Sequence, residues 1–472
     1  MKNIDSDYLV IGCGAVSMAF VDTLMDEKPD ATFAIIDRLH MPGGHWNHAY
    51  PFVRLHQPSA LYGVATVPLG NDRIDTAGSN KGYYELASGA ELLAYFERVM
   101  RERFLPSGRV QYFPMHEYMG EGVFRSLLGS DQYKVNVGKS IVDGTLFNTS
   151  VPSMHVRKFD VADGVTCIAP NELPRFAHGF EQLAILGGGK TAMDVGVWLL
   201  DHGVAAEKIT WICPRASWLL NRAVTQPGEA FFATTVGGVA TQFEAMAAAN
   251  SVEDLFLRME AGGMLLRIDK EVMPSMYHFA TISEGEVAQL SRIENVIGGA
   301  RVNSLGTDGM VLANGETVKT DGETLYIDCT ASAVDFTDGV DAQPVFEEGL
   351  IRLQSVFAPL LTFSAAIIAR LEGQFDDIAK KNALSMPNRV CDVPEQWMQV
   401  AVQNMMNQNA WSEVPELAGW LNTCRLNPAR AGGRAAAMAK PENAALMERL
   451  MGAAIPAVMN TQKLIMELDA AS

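Results

Sequence analysis

Cysteine is scarce and scattered: six residues, at 13, 167, 213, 329, 391 and 424, with no CxxC pair among them. That spacing speaks against a zinc ribbon and a dithiol reductase centre, and it fits a reducing compartment. Charge is also low, at 19% of residues, and lopsided, with 37 Lys and Arg against 55 Asp and Glu for a net of −18. An acidic surface repels nucleic acid and anionic lipid, so neither is expected as a partner. Long apolar runs are missing too. The uncharged stretch between Arg352 and Arg370 is broken by Pro359 and several polar residues and is shorter than a membrane span, so it reads as a buried segment. The first dozen residues mix Lys2, Asp5 and Asp7 with apolar positions and lack a signal-peptide core, and a cytoplasmic location without membrane contact is expected.

What the sequence does have is bulk and apolar content. With 472 residues, 48% of them hydrophobic, the chain is too long for one compact core, so two domains, or one with a large insertion, are expected. The opening run YLVIGCGAVS leaves an apolar strand at Gly12-x-Gly14 and resumes as a helix. Gly12 permits the tight turn, Gly14 lets backbone approach a pyrophosphate, and Ser17 holds the close-packing third position. The anion then faces the positive end of the helix beginning near Ala15. The run FAIID ends in Asp37, at the ~20-residue spacing expected of a carboxylate that accepts from ribose hydroxyls, and Arg38 beside it is assigned to the same cofactor.

A second, cleaner copy follows in QLAILGGGKTAMDVGVWLL, where a short strand runs into Gly187-x-Gly189-x-x-Ala192, with Lys190 and Thr191 inside the turn. Its next strand, KITWICPR, ends in Arg215 rather than an acid. An arginine there, with Ser217 nearby, favours a 2′-phosphate and hence NADP over NAD.

Between and after these motifs the chain reads as follows. Arg38 to Ser59 forms an ordered loop carrying histidines 40, 45, 48 and 56. With no cysteine and no carboxylate beyond Asp37, these match no metal-ligand set, and no metal is expected. Residues 85–105 have helical periodicity. QYFPMHEYMG and QYKVNVGKSIVDGT alternate like strands of a small antiparallel layer closing over the first domain, with Gly138 at a turn. Residues 228–265 read as Ala-rich and helical, and the insertion from about Gly228 to Met276, with the C-terminal helices, is expected to shape a substrate pocket. LYIDCTAS returns the chain to the first domain, with Asp328 at a strand end among cofactor contacts. From Glu395 the pattern is helical, with Trp397, Trp411 and Trp420 in a core, and ARAGGRAAAMAKPEN reads as a flexible basic joint before a last helix.

Two dinucleotide motifs, the second followed by an arginine, together with Gly43-Gly44-His45-Trp46 and Tyr50-Pro51, resemble the flavin-containing and Baeyer-Villiger type monooxygenases over roughly the first 335 residues. The GGHW and YP residues are similar to the GGxW…YP element of that family, whose loop runs over the flavin, which implies cofactor contacts for Gly44, His45 and Trp46. LHQPSALYGV resembles the stretch whose Asn lies beside the flavin C4a adduct. Aligning the prolines puts His56 on that Asn, with Gln57 adjacent and Arg54 placed to stabilise a peroxide anion. SIVDGTLFNTSVP and LYIDCTAS resemble the two strand-to-ATG crossings between the domains, altered here to DGT and CTAS, and only RFAHGFEQLAILGGG stands where the fingerprint FxGxxxHxxxY/F is usual.

The resemblance implies an α/β fold of two Rossmann-like domains, the second inserted in the first, followed by a helical C-terminal region. The expected limits are 1–175 and 323–395 for an FAD domain, 176–322 for an NADP domain, and 396–472 for the helices. FAD belongs to the first glycine motif and NADPH to the second. The implied activity is oxygenation of a small organic substrate by molecular oxygen through a flavin C4a-(hydro)peroxide. Two alternatives stay open: an FAD/NADPH-dependent reductase or dehydrogenase without oxygen insertion, and a non-catalytic FAD/NADP-binding redox sensor. A homodimer also remains open.

Overall fold

The structure is a computed structural model and describes residues 1–147, 149–320, 323–332, 334, 343–430, 437–438 and 440–471. The chain begins with β1 (Lys2–Ile11), α1 (Ala15–Glu27) and β2 (Phe33–Asp37). Helix α2 (Gly89–Val99), started by a Ser88/Glu91 capping box, then leads to β3 (Val110–Pro114). Strands β1, β2 and β3 are parallel, in register from Tyr8↔Phe33 to Ile11↔Ile36 and from Phe33↔Val110 onward. A hairpin of β4 (His116–Gly120) and β5 (Val123–Ser126) feeds β6 (Gln132–Asp143), which lies parallel to β1 on its other side.

Gly138 is inside β6, not at a turn. Between Ser6↔Val137 and Tyr8↔Ser140 the β1–β6 register shifts, and a Cβ on Gly138 would stand 3.5 Å from Asp7 Cα. Two residues of β6 therefore face one of β1, and the small residue marks this bulge. The expected separate antiparallel layer is also corrected. Within these two segments the antiparallel pairings are those of the β4–β5 hairpin and of β5 with β6, and β3 and β6 are strands of the main sheet.

The second sheet runs β10 (Val296–Gly298), β9 (Ile209–Cys213), β8 (Gln182–Leu186), β11 (Thr324–Asp328) and β7 (Thr166–Ile168), all parallel. Thr166–Ile168 and Thr324–Asp328, on the first-domain side of the limits at 175 and 322, thus pair in the second sheet. Helix α3 (Lys190–Asp201) follows β8, and α4 (Phe232–Ala248), α5 (Val252–Ala261) and α6 (Glu284–Leu290) lie between β9 and β10.

After β11 the chain returns to the first sheet as β12 (Leu350–Arg352), beside β6. The uncharged stretch becomes α7 (Leu361–Gln374), whose buried Phe363, Ala366, Ile367 and Leu371 join one core with Met18, Phe20, Val21 and Leu24 of α1. Helix α1 is apolar on several sides because it lies inside that core. The C-terminal helices are α8 (Pro394–Ser412), α9 (Pro415–Thr423) and α10 (Ala444–Ala471). Trp397 and Trp411 are buried and Trp420 packs at a core edge. Residues 431–436 and 439 of the basic joint lie outside the described residues.

Candidate active site

Two glycine turns face the carboxyl ends of the two parallel sheets. In the first, Gly12 has φ +87°, a conformation L side chains avoid, and donates its N–H to Ile36 O at 2.8 Å. Gly14 is the N-cap of α1, with no capping side chain and no acid in the first turn. The helix's first N–H groups and positive end are thus open to an anion. The GGHW loop clasps this turn: Gly43 N–H donates to Cys13 O at 2.8 Å, and a Cβ on Gly44 (φ +59°) would stand 3.0 Å from Gly14 Cα. Asp37 accepts from Cys13 N at 2.5 Å and Leu39 N at 2.7 Å, while burial pushes its carboxyl up. It therefore braces the turn, and each oxygen keeps a second lone pair for a ribose. Arg38 is exposed, 3.7 Å from Glu117. Ser17 is fully buried, and a Cβ on Gly144 would collide with its Oγ.

The second turn repeats the plan. Gly187 has φ +129°, and a Cβ there would stand 2.6 Å from Cys329 O. One on Gly188 would stand 2.6 Å from Arg215 O. Gly189 caps α3 with open space around it, no capping side chain and no first-turn acid, and Ala192 is fully buried.

The two crossings match in a way the sequence reading missed. Asp143 Oδ1 accepts from Thr145 N at 2.8 Å and Thr145 Oγ1 at 2.7 Å. Asp328 Oδ1 accepts from Thr330 N at 3.0 Å and Thr330 Oγ1 at 2.6 Å. The residue between, Gly144 or Cys329, donates its N–H to the end of the neighbouring strand, Ile11 O at 3.0 Å or Leu186 O at 2.8 Å. VDGT and IDCT are thus one Asp-x-Thr turn used twice. The other Asp328 oxygen lies 3.0 Å from His155 Nε2 and 3.6 Å from Arg157 Nε, so its carboxylate is engaged within the crossing.

At the start of α3, beside the second turn, sits a buried ionic cluster. Lys190 Nζ pairs with Asp194 and lies 3.2 Å from Glu286 Oε1, and Arg222 Nη1 lies 2.6 Å from Glu286 Oε2. Burial opposes the Lys190 charge, but Asp194 and Glu286 outweigh it and raise its pKa. Burial likewise opposes ionisation of Glu286, yet Lys190 and Arg222 hold it well below the usual carboxylate range. Two cations face two anions. The first domain is wired into this cluster: Tyr50 OH donates to Asp194 at 2.6 Å, and Arg222 donates to His56 O and Asn80 Oδ1, each at 3.2 Å. The His56 ring is half-buried. Burial, followed by the positive charge of Lys190, lowers its pKa to about 4, so it is neutral near pH 7. The Lys190–Asp194 spacing was visible in GGGKTAMD, whereas Arg222 and Glu286 carried no local signal.

The other expected residues lie around this centre. Burial lowers His45 to about 4, and its ring tilts over Trp46, whose Nε1 donates to Tyr62 OH at 2.9 Å. Gln57 Nε2 donates to Leu61 O at 3.2 Å. Arg54 is exposed. The Leu55 N–H···O=C Ala87 bond pins its strand, and Arg54 donates to Leu86 O at 3.0 Å, lining a cleft of about 500 Å³ with Arg73, Arg98, Glu85 and Glu91. Arg54 therefore does not join His56 at the cluster. Thr191 hydrogen-bonds Tyr50. Ser217 is buried and donates to Trp218 O at 2.9 Å. Arg215 forms a bidentate pair with Asp392, at 2.9 and 2.8 Å. Among the described residues no group of three or more His, Cys, Asp or Glu could hold a metal, and no helix is long and apolar enough to cross a membrane.

Two parallel sheets, each opening on a glycine turn and joined by paired crossings, define the class: the two-domain architecture of the flavin monooxygenases. Consistent with this, the chain shares its fold with a polycyclic ketone monooxygenase from the thermophilic fungus Thermothelomyces thermophila, with a TM-score of 0.51 and 11% identity over 96% of this chain and 89% of that one. No protein-family model matches the chain. It belongs to the family of uncharacterized proteins from Mycobacterium tuberculosis and Mycobacterium bovis, to which it is 46% identical over 426 residues, 90% of this chain and 78% of theirs.

Proposed function

We propose that the chain is a cytoplasmic FAD-dependent, NADPH-using oxidoreductase, and specifically a monooxygenase of a small organic substrate. The observation that carries this reading is the pair of uncapped glycine turns, the second of them tied to the Tyr50–His56 loop by the cluster around Lys190. The residues fit the cofactors. Gly14 and the α1 N-terminus, reached through the turn that Gly12 permits, offer backbone donors to the FAD pyrophosphate, and Asp37 offers free lone pairs to its ribose. Gly189 and the α3 N-terminus, after the turn at Gly187, do the same for NADPH, with Arg215 toward the 2′-phosphate.

When bound, a flavin would supply the redox chemistry between nicotinamide and oxygen. The protein's part is to position, to exclude water and to place protons. His56, neutral and half-buried, has one ring N–H to donate and one nitrogen to accept, as a polar reacting centre in a dry site requires. Burial, aided by the positive charge of Lys190 and Arg222, keeps the ring unprotonated, and Tyr50 and Asp194 tie its loop to α3. Gln57 supports that loop from the same turn.

The test is turnover of the FAD-loaded protein with NADPH and oxygen over a panel of amines, sulfides and ketones. Oxygenated product coupled to NADPH oxidation is expected. Fast NADPH oxidation with a quinone but no oxygenated product identifies a reductase, and failure to take up flavin contradicts the whole reading.

A further inference from the structure

Arg215 lies two residues beyond the end of β9, and its carbonyl packs against Gly188 of the second glycine turn. In Rossmann domains the residue at that strand end meets the adenosine ribose of the coenzyme. An arginine there takes a 2′-phosphate, and an acid accepts from a free 2′-hydroxyl. Here both are present. Arg215 Nη1 and Nη2 donate to the two oxygens of Asp392 at 2.9 and 2.8 Å, and His278 Nε2 lies 2.7 Å from Asp392 Oδ1.

Asp392 is no loose surface acid. Its carbonyl accepts from Tyr277 N–H at 3.0 Å, and its N–H donates to Gln396 Oε1 at 2.8 Å, at the start of α8. The three side chains remain open to solvent on one side, at 34%, 25% and 29% exposure for Arg215, Asp392 and His278, so a ligand can reach them. Arg215 lowers Asp392 to about 2, which keeps the carboxylate ionised.

We propose that Asp392, held by Arg215 and His278, is a coenzyme-selectivity residue: it cancels the Arg215 charge and competes with the coenzyme's 2′-phosphate for the guanidinium. The proposal rests on the reading of the second glycine turn as the nicotinamide-coenzyme site. Two Arg215 N–H groups are used on Asp392, and the remainder can still bind a phosphate, but beside a fixed carboxylate. A ribose with a free 2′-hydroxyl meets no such repulsion and can donate to Asp392. The consequence is a dual-coenzyme site with only a modest preference for NADP over NAD.

Calorimetric titration of the FAD-loaded protein with NADP⁺ and with NAD⁺ tests this without turnover. In the unmodified protein the two affinities should lie within about tenfold of each other, roughly one charge-assisted contact. Asp392→Asn should tighten NADP⁺ about tenfold and change NAD⁺ less than about twofold. That gain should shrink when Arg215→Gln is present as well, because it comes largely from the freed guanidinium. A preference for NADP⁺ beyond about a hundredfold in the unmodified protein overturns the proposal even if the variant fails to fold. So does an Asp392→Asn effect that is absent or equal for both coenzymes, and in either case the coenzyme site itself stands. If neither coenzyme binds, the assignment of the second glycine turn falls, and the proposal with it.

Discussion

Replacing Glu286 by glutamine removes one anion from a buried set of two cations and two anions. The carboxylate lies 2.6 Å from Arg222 and 3.2 Å from Lys190, and the Arg222 and Glu286 side chains are 2% and 9% exposed. At about 3 Å and an effective dielectric of about 20, each contact is worth roughly 5 kcal/mol before desolvation. Desolvation cancels much of that, and removing one partner from a buried pair typically costs about 3–5 kcal/mol. Glutamine keeps the capping box with Ser283, since Gln serves at that position, so the start of α6 is preserved. The expected loss is therefore the ionic part, about 3 kcal/mol at pH 7, left by two buried cations facing Asp194 alone. The pH dependence has a definite sign. Lys190 and Arg222 depress Glu286, so its contribution is complete above the unfolded glutamate value of about 4.3 and fades as pH falls below it. Thermal unfolding followed by circular dichroism should show a constant gap between the two proteins from neutral pH down to about 5, closing in stronger acid. A Glu286→Gln protein within about 0.5 kcal/mol of the original at neutral pH would refute the cluster as a stabilising bridge.

Further expectations follow from the same geometry. Gly44→Ala puts a Cβ 3.0 Å from Gly14 Cα in a left-handed backbone; the FAD dissociation constant read by flavin fluorescence should rise about tenfold, and an unchanged value contradicts the clasp. Burial sets His56 near 4, below the unfolded value of about 6.5, so its stability contribution is complete above about 6.5 and is lost as pH falls toward 4. His56→Gln should remove that loss, at most about 3 kcal/mol across the window, and parallel melting profiles for the two proteins would show that the ring is not buried as neutral imidazole. Arg215→Ala should raise the Michaelis constant for NADPH more than for NADH, and equal effects would sink a role at the 2′-phosphate.

The parts of this site that were legible in the sequence are those written into a few consecutive residues. Gly12-x-Gly14 and Gly187-x-Gly189 could be read because a tight strand-to-helix turn requires them locally. Gly138 was misread because a glycine at a bulge in a long strand and a glycine in a turn look alike without the partner strand, here Asp7 and its neighbours. VDGT and IDCT resemble altered strand-to-ATG crossings in sequence, and their shared Asp-x-Thr, which is itself the turn, shows only in the hydrogen bonds. Arg215 was visible, but Asp392, 177 residues away, was not. Arg222 and Glu286 meet Lys190 only through folding, and the chain direction around Leu55 that turns Arg54 outward depends on Ala87.

The central claim is that the first turn holds FAD and the second a nicotinamide coenzyme close enough to reduce it. Anaerobic mixing of the FAD-loaded protein with NADPH tests this most directly, by following the visible absorbance of the flavin. Full bleaching is expected, abolished when Gly189→Val blocks the open approach to α3 while flavin remains bound. A protein that takes up no FAD, or whose bound flavin stays oxidised under NADPH and NADH alike, would contradict it.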